Sequence, residues 1–153
     1  MAPLVLGVLP FAMVSGAAAV AVGLSVPQAL GMAAFVYAGA AQFASVQLLE
    51  QGAPFLVIAL TAGVINLRFL MYGASIAPHF QGLPLRWRAL AGYLLTDQAY
   101  ALPITRFARG ATEHKLAYYL GVAAPMGLTW QSGSLLGALL GAGIPPAWSF
   151  DFA

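Results

Sequence analysis

GVINLRFLMYGAS, residues 63–75, places Asn66 and Arg68 in the middle of one of the longest apolar runs of the chain. In a water-soluble protein two such side chains would sit on the surface. The composition rules that setting out. Of 153 residues, 61% are hydrophobic and 7% charged, and the mean hydropathy is +0.87. Soluble domains carry about 25% charged residues. Six basic and four acidic side chains are too few to cover a water-facing surface. The solvent for this chain is a lipid bilayer.

Working outward, the stretch is the third of five apolar segments, at about Leu4–Leu24, Gln28–Leu49, Pro54–Pro78, Ala89–Ala108 and Leu116–Ile144. Each approaches or exceeds the roughly 20 residues that a helix needs to cross about 30 Å of hydrocarbon. The dyad alternation of a membrane barrel is missing, and lipid-exposed backbone must satisfy its own hydrogen bonds. The predicted fold is therefore all-α, a polytopic transmembrane helical bundle forming one domain over residues 1–153. The first segment has no basic leader and no clear cleavage signal, so it reads as part of the structure.

The joints between segments are short and rich in Gly and Pro: SVPQ (25–28), EQGAP (50–54), PHFQGLPLRWR (78–88) and RGATEHK (109–115). Arg86 and Arg88 lie in one joint, and Arg106, Arg109 and Lys115 lie at the next. If the fourth segment spans, the basic groups fall on opposite sides and the positive-inside rule contradicts itself. Either that segment is re-entrant, or the third is broken into two passes.

An internal echo runs at an offset of 117 residues, from Ser15-Gly16 and Pro27 to Ser132-Gly133 and, 118 residues on, Pro145. Pro10 and Pro125 repeat at 115. This predicts a first repeat over about residues 1–117 and the start of a second over about 118–153.

Arg68 and Asp97 each fall near a segment centre, where a charge costs about 2.5–3.5 kcal/mol on insertion scales. Unneutralised, the two would offset about ten Leu-like residues at about 0.3–0.6 kcal/mol each. Pairing relieves both. On an unbroken third helix Ala59, Gly63, Asn66, Gly73 and Ala77 share one side, and Thr61, Arg68, Tyr72 and Ser75 another. Asn66 and Arg68 stand about 200° apart, so this helix is either packed between two neighbours or interrupted. On the fourth helix Tyr93, Asp97, Tyr100 and Ala101 lie together, and on the second Gln42 shares a face with Ala38, Gly39 and Ser45. Two readings stand: a structural ion pair clamping two helices, and a polar mid-membrane cavity, which intramembrane ionisable groups mark by default. The candidate substrate-binding residues are Asn66, Arg68, Asp97, Gln42, Tyr72, Tyr93 and Tyr100. Asp97, the one acid deep in a segment, is the candidate proton-coupling group.

Gly133, Gly137 and Gly141 form a small-xxx-small stripe that admits a second helix closely. Pro10 predicts a kink or a helix break of the kind that bares backbone groups in transporters. Trp87 and Trp148 suit an interfacial position, whereas Trp130 lies deeper. Without cysteine, disulfides and thiolate metal sites are excluded. His79 and His114 sit in joints without carboxylates at ligand spacing, so no metal or cofactor is expected. Neither histidine can serve Ser15 or Ser132 as a base inside a span, and the chain does not read as an enzyme. The pI near 9.2 comes from scattered basic residues, not the cluster that nucleic acid requires.

Four motifs resemble the AzlC-type branched-chain amino acid exporters, the LIV-E family: LPFAMVSG (9–16), YAGAAQFA (37–44), INLRFLMYGASIAP (65–78) and LLTDQAYAL (94–102). WQSGSLLGALLG (130–141) and FDFA (150–153) fit the start of that family's second half. The resemblance implies a multi-pass protein of the bacterial inner membrane. It would be the larger subunit of a secondary transporter for branched-chain amino acids, working with a small AzlD-like membrane partner. It also implies that the second half is incomplete here. Phe69 stands where the family usually has histidine and Gln98 where it usually has glutamate, which puts proton coupling in question. The rival expectations are a non-transporting scaffold whose glycine stripe binds a partner, and a passive channel.

Overall fold

A computed structural model describes residues 2–110 and 114–143. Trp148, Pro145, Ile144, the FDFA segment and residues 111–113 of the fourth joint lie outside the described residues. The fold is all-α, that of a polytopic membrane helical bundle, with no strand among the described residues. In order come α1 (Ala2–Ala21), α2 (Val26–Phe35), α3 (Gly39–Glu50), α4 (Phe55–Asn66), α5 (Arg68–Ile76), a 3-10 turn (Ala77–Phe80), α6 (Leu85–Tyr93), α7 (Asp97–Ala108) and α8 (Lys115–Gly143). Two stretches, Leu4–Ala21 and Phe55–Phe80, are long and apolar enough to cross a membrane by length and composition. At 1.5 Å per residue α8 is about 43 Å long.

The joints fold as their chemistry dictates. Ser25 caps α2 in a capping box: the Ser25 amide donates to Gln28 Oε1 (2.8 Å), and the Gln28 amide donates to Ser25 Oγ (3.4 Å). Gly23 and Gly52, at φ +94° and +68°, terminate α1 and α3. In each case the following amide reaches back five residues (Leu24 to Ala19, Ala53 to Leu48), the Schellman arrangement that needs a left-handed residue.

Three of the five apolar segments are interrupted, and only the break in the third falls where the sequence offered one. Pro10 lies inside a continuous α1, so the break expected there does not occur. A helix can lose the one hydrogen bond that a proline cannot donate and continue beyond it. The second segment instead parts at 36–38, where Tyr37 is left-handed (φ +44°) and Ala38 extended. A left-handed non-glycine residue costs about 1–2 kcal/mol, and Tyr37 is held there while 8% exposed. The third segment parts at Leu67, which keeps helical dihedrals (φ −55°, ψ −27°) and accepts a short bond from the Leu70 amide. Of the two alternatives for Asn66 and Arg68, interruption is the one observed: Asn66 ends α4 and Arg68 begins α5. The fourth segment parts at 94–96, where Thr96 is extended (φ −130°, ψ 172°).

The described chain forms two compact units. One comprises residues 2–65 with the part of α8 from residue 129. Its core is built from small side chains, Ala19, Ala29, Val46 and Ala138. Here α1 fills the glycine stripe of α8. A Cβ at Gly137 would collide with the Met13 carbonyl, one at Gly133 would lie 2.7 Å from Ala12 Cβ, and one at Gly16 would strike the Ser134 carbonyl. The stripe thus admits a second helix closely, as its spacing predicted, and that helix is α1 of the same chain. Trp130 packs on Phe11 (ring centroids 5.9 Å apart), as its depth in the sequence suggested.

The other unit comprises residues 66–128. Its core is larger and aromatic, with Phe80 packed on Tyr119 (5.3 Å) and Phe107 (6.1 Å). The buried Tyr119 hydroxyl donates to the Ala91 carbonyl (2.7 Å). His79 Nδ1 lies 3.1 Å from Lys115 Nζ. Outward-facing apolar side chains such as Phe55 (83% exposed), Leu60 and Met71 suit contact with lipid tails.

Candidate functional site

The interruption at 94–96 creates the start of α7. Thr96 Oγ1 accepts from the Ala99 amide (3.2 Å), replacing one of the bonds that a helix start lacks. Asp97 then occupies the first helical position, where the helix dipole favours an anion. Arg68 begins α5, where the same dipole disfavours a cation. The two are joined: Arg68 Nη2 lies 3.2 Å from Asp97 Oδ2. The pair thus offsets both the membrane cost of each charge and the mismatch of Arg68 with its helix end.

This ion pair is incompletely committed. A guanidinium has five N–H donors in a fixed fork, and the contact to Asp97 is through one nitrogen. The buried Arg68 Nε has no hydrogen-bond partner among the described residues. The side chains are 33% and 43% exposed, so the pair is not sealed inside the unit. Phe69 places its ring 5.0 Å from the Arg68 guanidinium carbon.

Tyr72 and Tyr100 extend the patch. Their rings stack at 4.4 Å with 8° between planes, and Tyr72 lies in the field of both Asp97 and Arg68. The Tyr100 hydroxyl donates to Ser75 Oγ (2.9 Å). Arg68, Tyr72, Asp97 and Tyr100 therefore stand together within the 66–128 unit. They offer a cation with spare donors, an anion, a flat aromatic surface and a hydroxyl pair.

The other expected members stand elsewhere. Tyr93 ends α6, before the interruption, and is 51% exposed. Its shared face with Asp97 presupposed an unbroken fourth helix and does not exist. Asn66 is half-buried at the last position of α4. Gln42 belongs to the other unit, on α3, where it is 1% exposed and accepts from Ser15 Oγ (3.2 Å). Ala38 precedes α3 in extended form, so it does not share the Gln42 face.

Sequence reasoning passed over Tyr37 and Thr96, gave Ser75 a place beside Arg68 and Tyr72 but no role, and weighed Ser15 only as a nucleophile. Thr96 carried a signal, since Thr before Asp inside an apolar run is a helix-start pattern. The Ser15–Gln42 bond joins residues 27 apart and had none. Among the described residues no group of three or more His, Asp or Glu side chains gathers.

Comparison with known proteins gives the family of the chain. A family model described as AzlC protein matches residues 3–144. The chain is 28% identical to the inner membrane protein YgaZ of Escherichia coli K12, over 93% of this chain and 58% of that protein. It is 30% identical to an uncharacterized membrane protein of Helicobacter pylori, over 97% of this chain and 62% of the relative. An uncharacterized membrane protein of Archaeoglobus fulgidus is 31% identical, over 91% and 58% respectively. The chain thus spans 58% to 62% of the length of the curated relatives it matches. No solved structure matches it.

Proposed function

The chain belongs to the AzlC family of membrane proteins, and on that footing we propose that it is the larger subunit of a secondary transporter exporting branched-chain amino acids. Its place would be the bacterial inner membrane, its partner a small AzlD-like subunit, and its energy source the proton gradient. Residues 118–153 would open a second repeat of the unit at 1–117. The observation that carries the reading is the incompletely committed Arg68–Asp97 pair. A zwitterionic substrate presents a carboxylate that fits the spare donors of Arg68, and an ammonium that fits Asp97 with the faces of Tyr72 and Tyr100 beside it. Asn66, Gln42 and Tyr93 are secondary candidates for contact with the same substrate.

Coupling follows from competition for the guanidinium. A substrate carboxylate that takes Arg68 loosens its hold on Asp97, and a carboxylate deprived of its cation in apolar surroundings takes up a proton more readily. Substrate binding and protonation are then linked, as exchange against protons requires. The rival is a clamp that holds α5 to α7 without transporting.

The test is efflux of valine, leucine and isoleucine from cells expressing the protein, with and without the small subunit. Arg68→Gln and Asp97→Asn should each lower protein level, because each leaves a charge unpaired. The double variant should regain its level and still fail to export. Asp97→Asn should retain exchange of internal for external leucine but lose accumulation driven by a pH gradient. A double variant that folds and exports at the parent rate leaves only the clamp.

A further inference from the structure

A groove of about 290 Å³ runs between the α5 and 3-10 segment and α6, wholly within the 66–128 unit. Gly73, Ile76 and Phe80 line one wall, and Arg88, Gly92 and Leu95 the other. The chain fixes which end is the mouth. The apolar stretch Phe55–Phe80 ends at Phe80, residues 81–84 turn, and α6 opens with Leu85, Arg86, Trp87 and Arg88. Tryptophan and arginine concentrate at the boundary between hydrocarbon and headgroups. Arg86 holds its guanidinium 5.8 Å from the Trp87 ring, at that same end. From the mouth, the helical turns from Phe80 back to Gly73 and from Arg88 on to Tyr93, where α6 ends, span about 8–12 Å. The groove therefore descends from the boundary through about the outer third of a 30 Å hydrocarbon core.

Its chemistry is asymmetric. Arg88 is exposed, and its side chain has neither an ion pair nor a hydrogen bond among the described residues. The remaining lining is apolar, with no carboxylate. A zwitterionic amino acid would find no partner there for its ammonium. A Cβ at Gly92 would meet open space, so the trough beneath the arginine is unfilled by the protein. A cation over an apolar trough at the membrane boundary matches a ligand with an anionic head and a hydrocarbon tail.

We propose that this groove binds an anionic phospholipid, with the phosphate on Arg88 and the upper part of one acyl chain between Gly73 and Gly92. This stands apart from the transport reading and shares no residue with the Arg68–Asp97 pair. One basic residue near an anionic headgroup is worth about fivefold in binding. Native mass spectrometry of the detergent-solubilised protein, titrated with phosphatidylglycerol and with phosphatidylcholine of identical chains, should show tighter binding of phosphatidylglycerol. Arg88→Gln should weaken that binding about fivefold, and Arg88→Lys should keep it. Gly92→Leu, whose Cβ meets open space and whose side chain would occupy the trough, should weaken both lipids. In the unsubstituted protein, phosphatidylglycerol carrying a photoreactive group on its acyl chain should label residues 73–95. Equal binding of the two lipids, an undiminished preference in Arg88→Gln, or labelling confined to other residues would overturn the proposal.

Discussion

Replacing Gly137 by alanine adds one methyl group where none fits. The new Cβ would strike the main-chain carbonyl of Met13 on α1. A main-chain carbonyl within a helix cannot rotate away, so α1 and α8 must part. Overpacking of this kind costs about 1–3 kcal/mol. Alanine also favours helix over glycine by up to about 1 kcal/mol, which would mask part of the loss. Gly121 supplies the correction: it lies in the same helix, and a Cβ there meets open space. The difference between Gly137→Ala and Gly121→Ala cancels the helix preference and isolates the collision. It should amount to about 1–3 kcal/mol, or about five- to 150-fold in the unfolding equilibrium. Gly141→Ala should fall between them, because its Cβ would sit 3.2 Å from Ala17 Cα and needs a shift of only a few tenths of an ångström. Gly16→Ala collides with the Ser134 carbonyl across the same contact. Combined with Gly137→Ala it should cost less than the two separately, since one parting of the helices relieves both. Unfolding in mixed micelles of increasing dodecyl sulfate content measures the series. Equal stability of Gly137→Ala and Gly121→Ala would refute this account of helix packing.

Two further substitutions probe the interruptions and the buried polar contact. Thr96→Ala removes the side-chain acceptor at the start of α7 and should cost about 1 kcal/mol, with faster hydrogen exchange at the Ala99 amide, whereas Thr96→Ser should preserve both. Gln42→Leu leaves the Ser15 hydroxyl buried without its acceptor and should destabilise by about 1–3 kcal/mol; adding Ser15→Ala should recover most of the loss in the same unfolding assay.

Composition alone determined the solvent and hence the fold class. Ten charged side chains in 153 residues leave an all-helical membrane protein as the outcome that satisfies the backbone. The pairing of Arg68 with Asp97 was legible too, because two charges among apolar residues have few ways to lower their free energy. The chain ends of α1, α2 and α3 followed from local chemistry, in Gly23, Ser25 with Gln28, and Gly52. Tertiary structure decided where the helices are interrupted. A uniformly apolar run has no amphipathic period to register a break, and Tyr37 and Leu67 are neither proline nor glycine. Those interruptions separate Tyr93 from Asp97 and Ala38 from Gln42, which periodicity over unbroken helices had put together. Tertiary structure also chose α1 as the occupant of the Gly133–Gly137–Gly141 stripe and Ser15 as the partner of Gln42. Small residues announce that some backbone comes close, and a buried amide announces that some partner exists. Which one arrives depends on how distant segments pack, and no local pattern of residues encodes that.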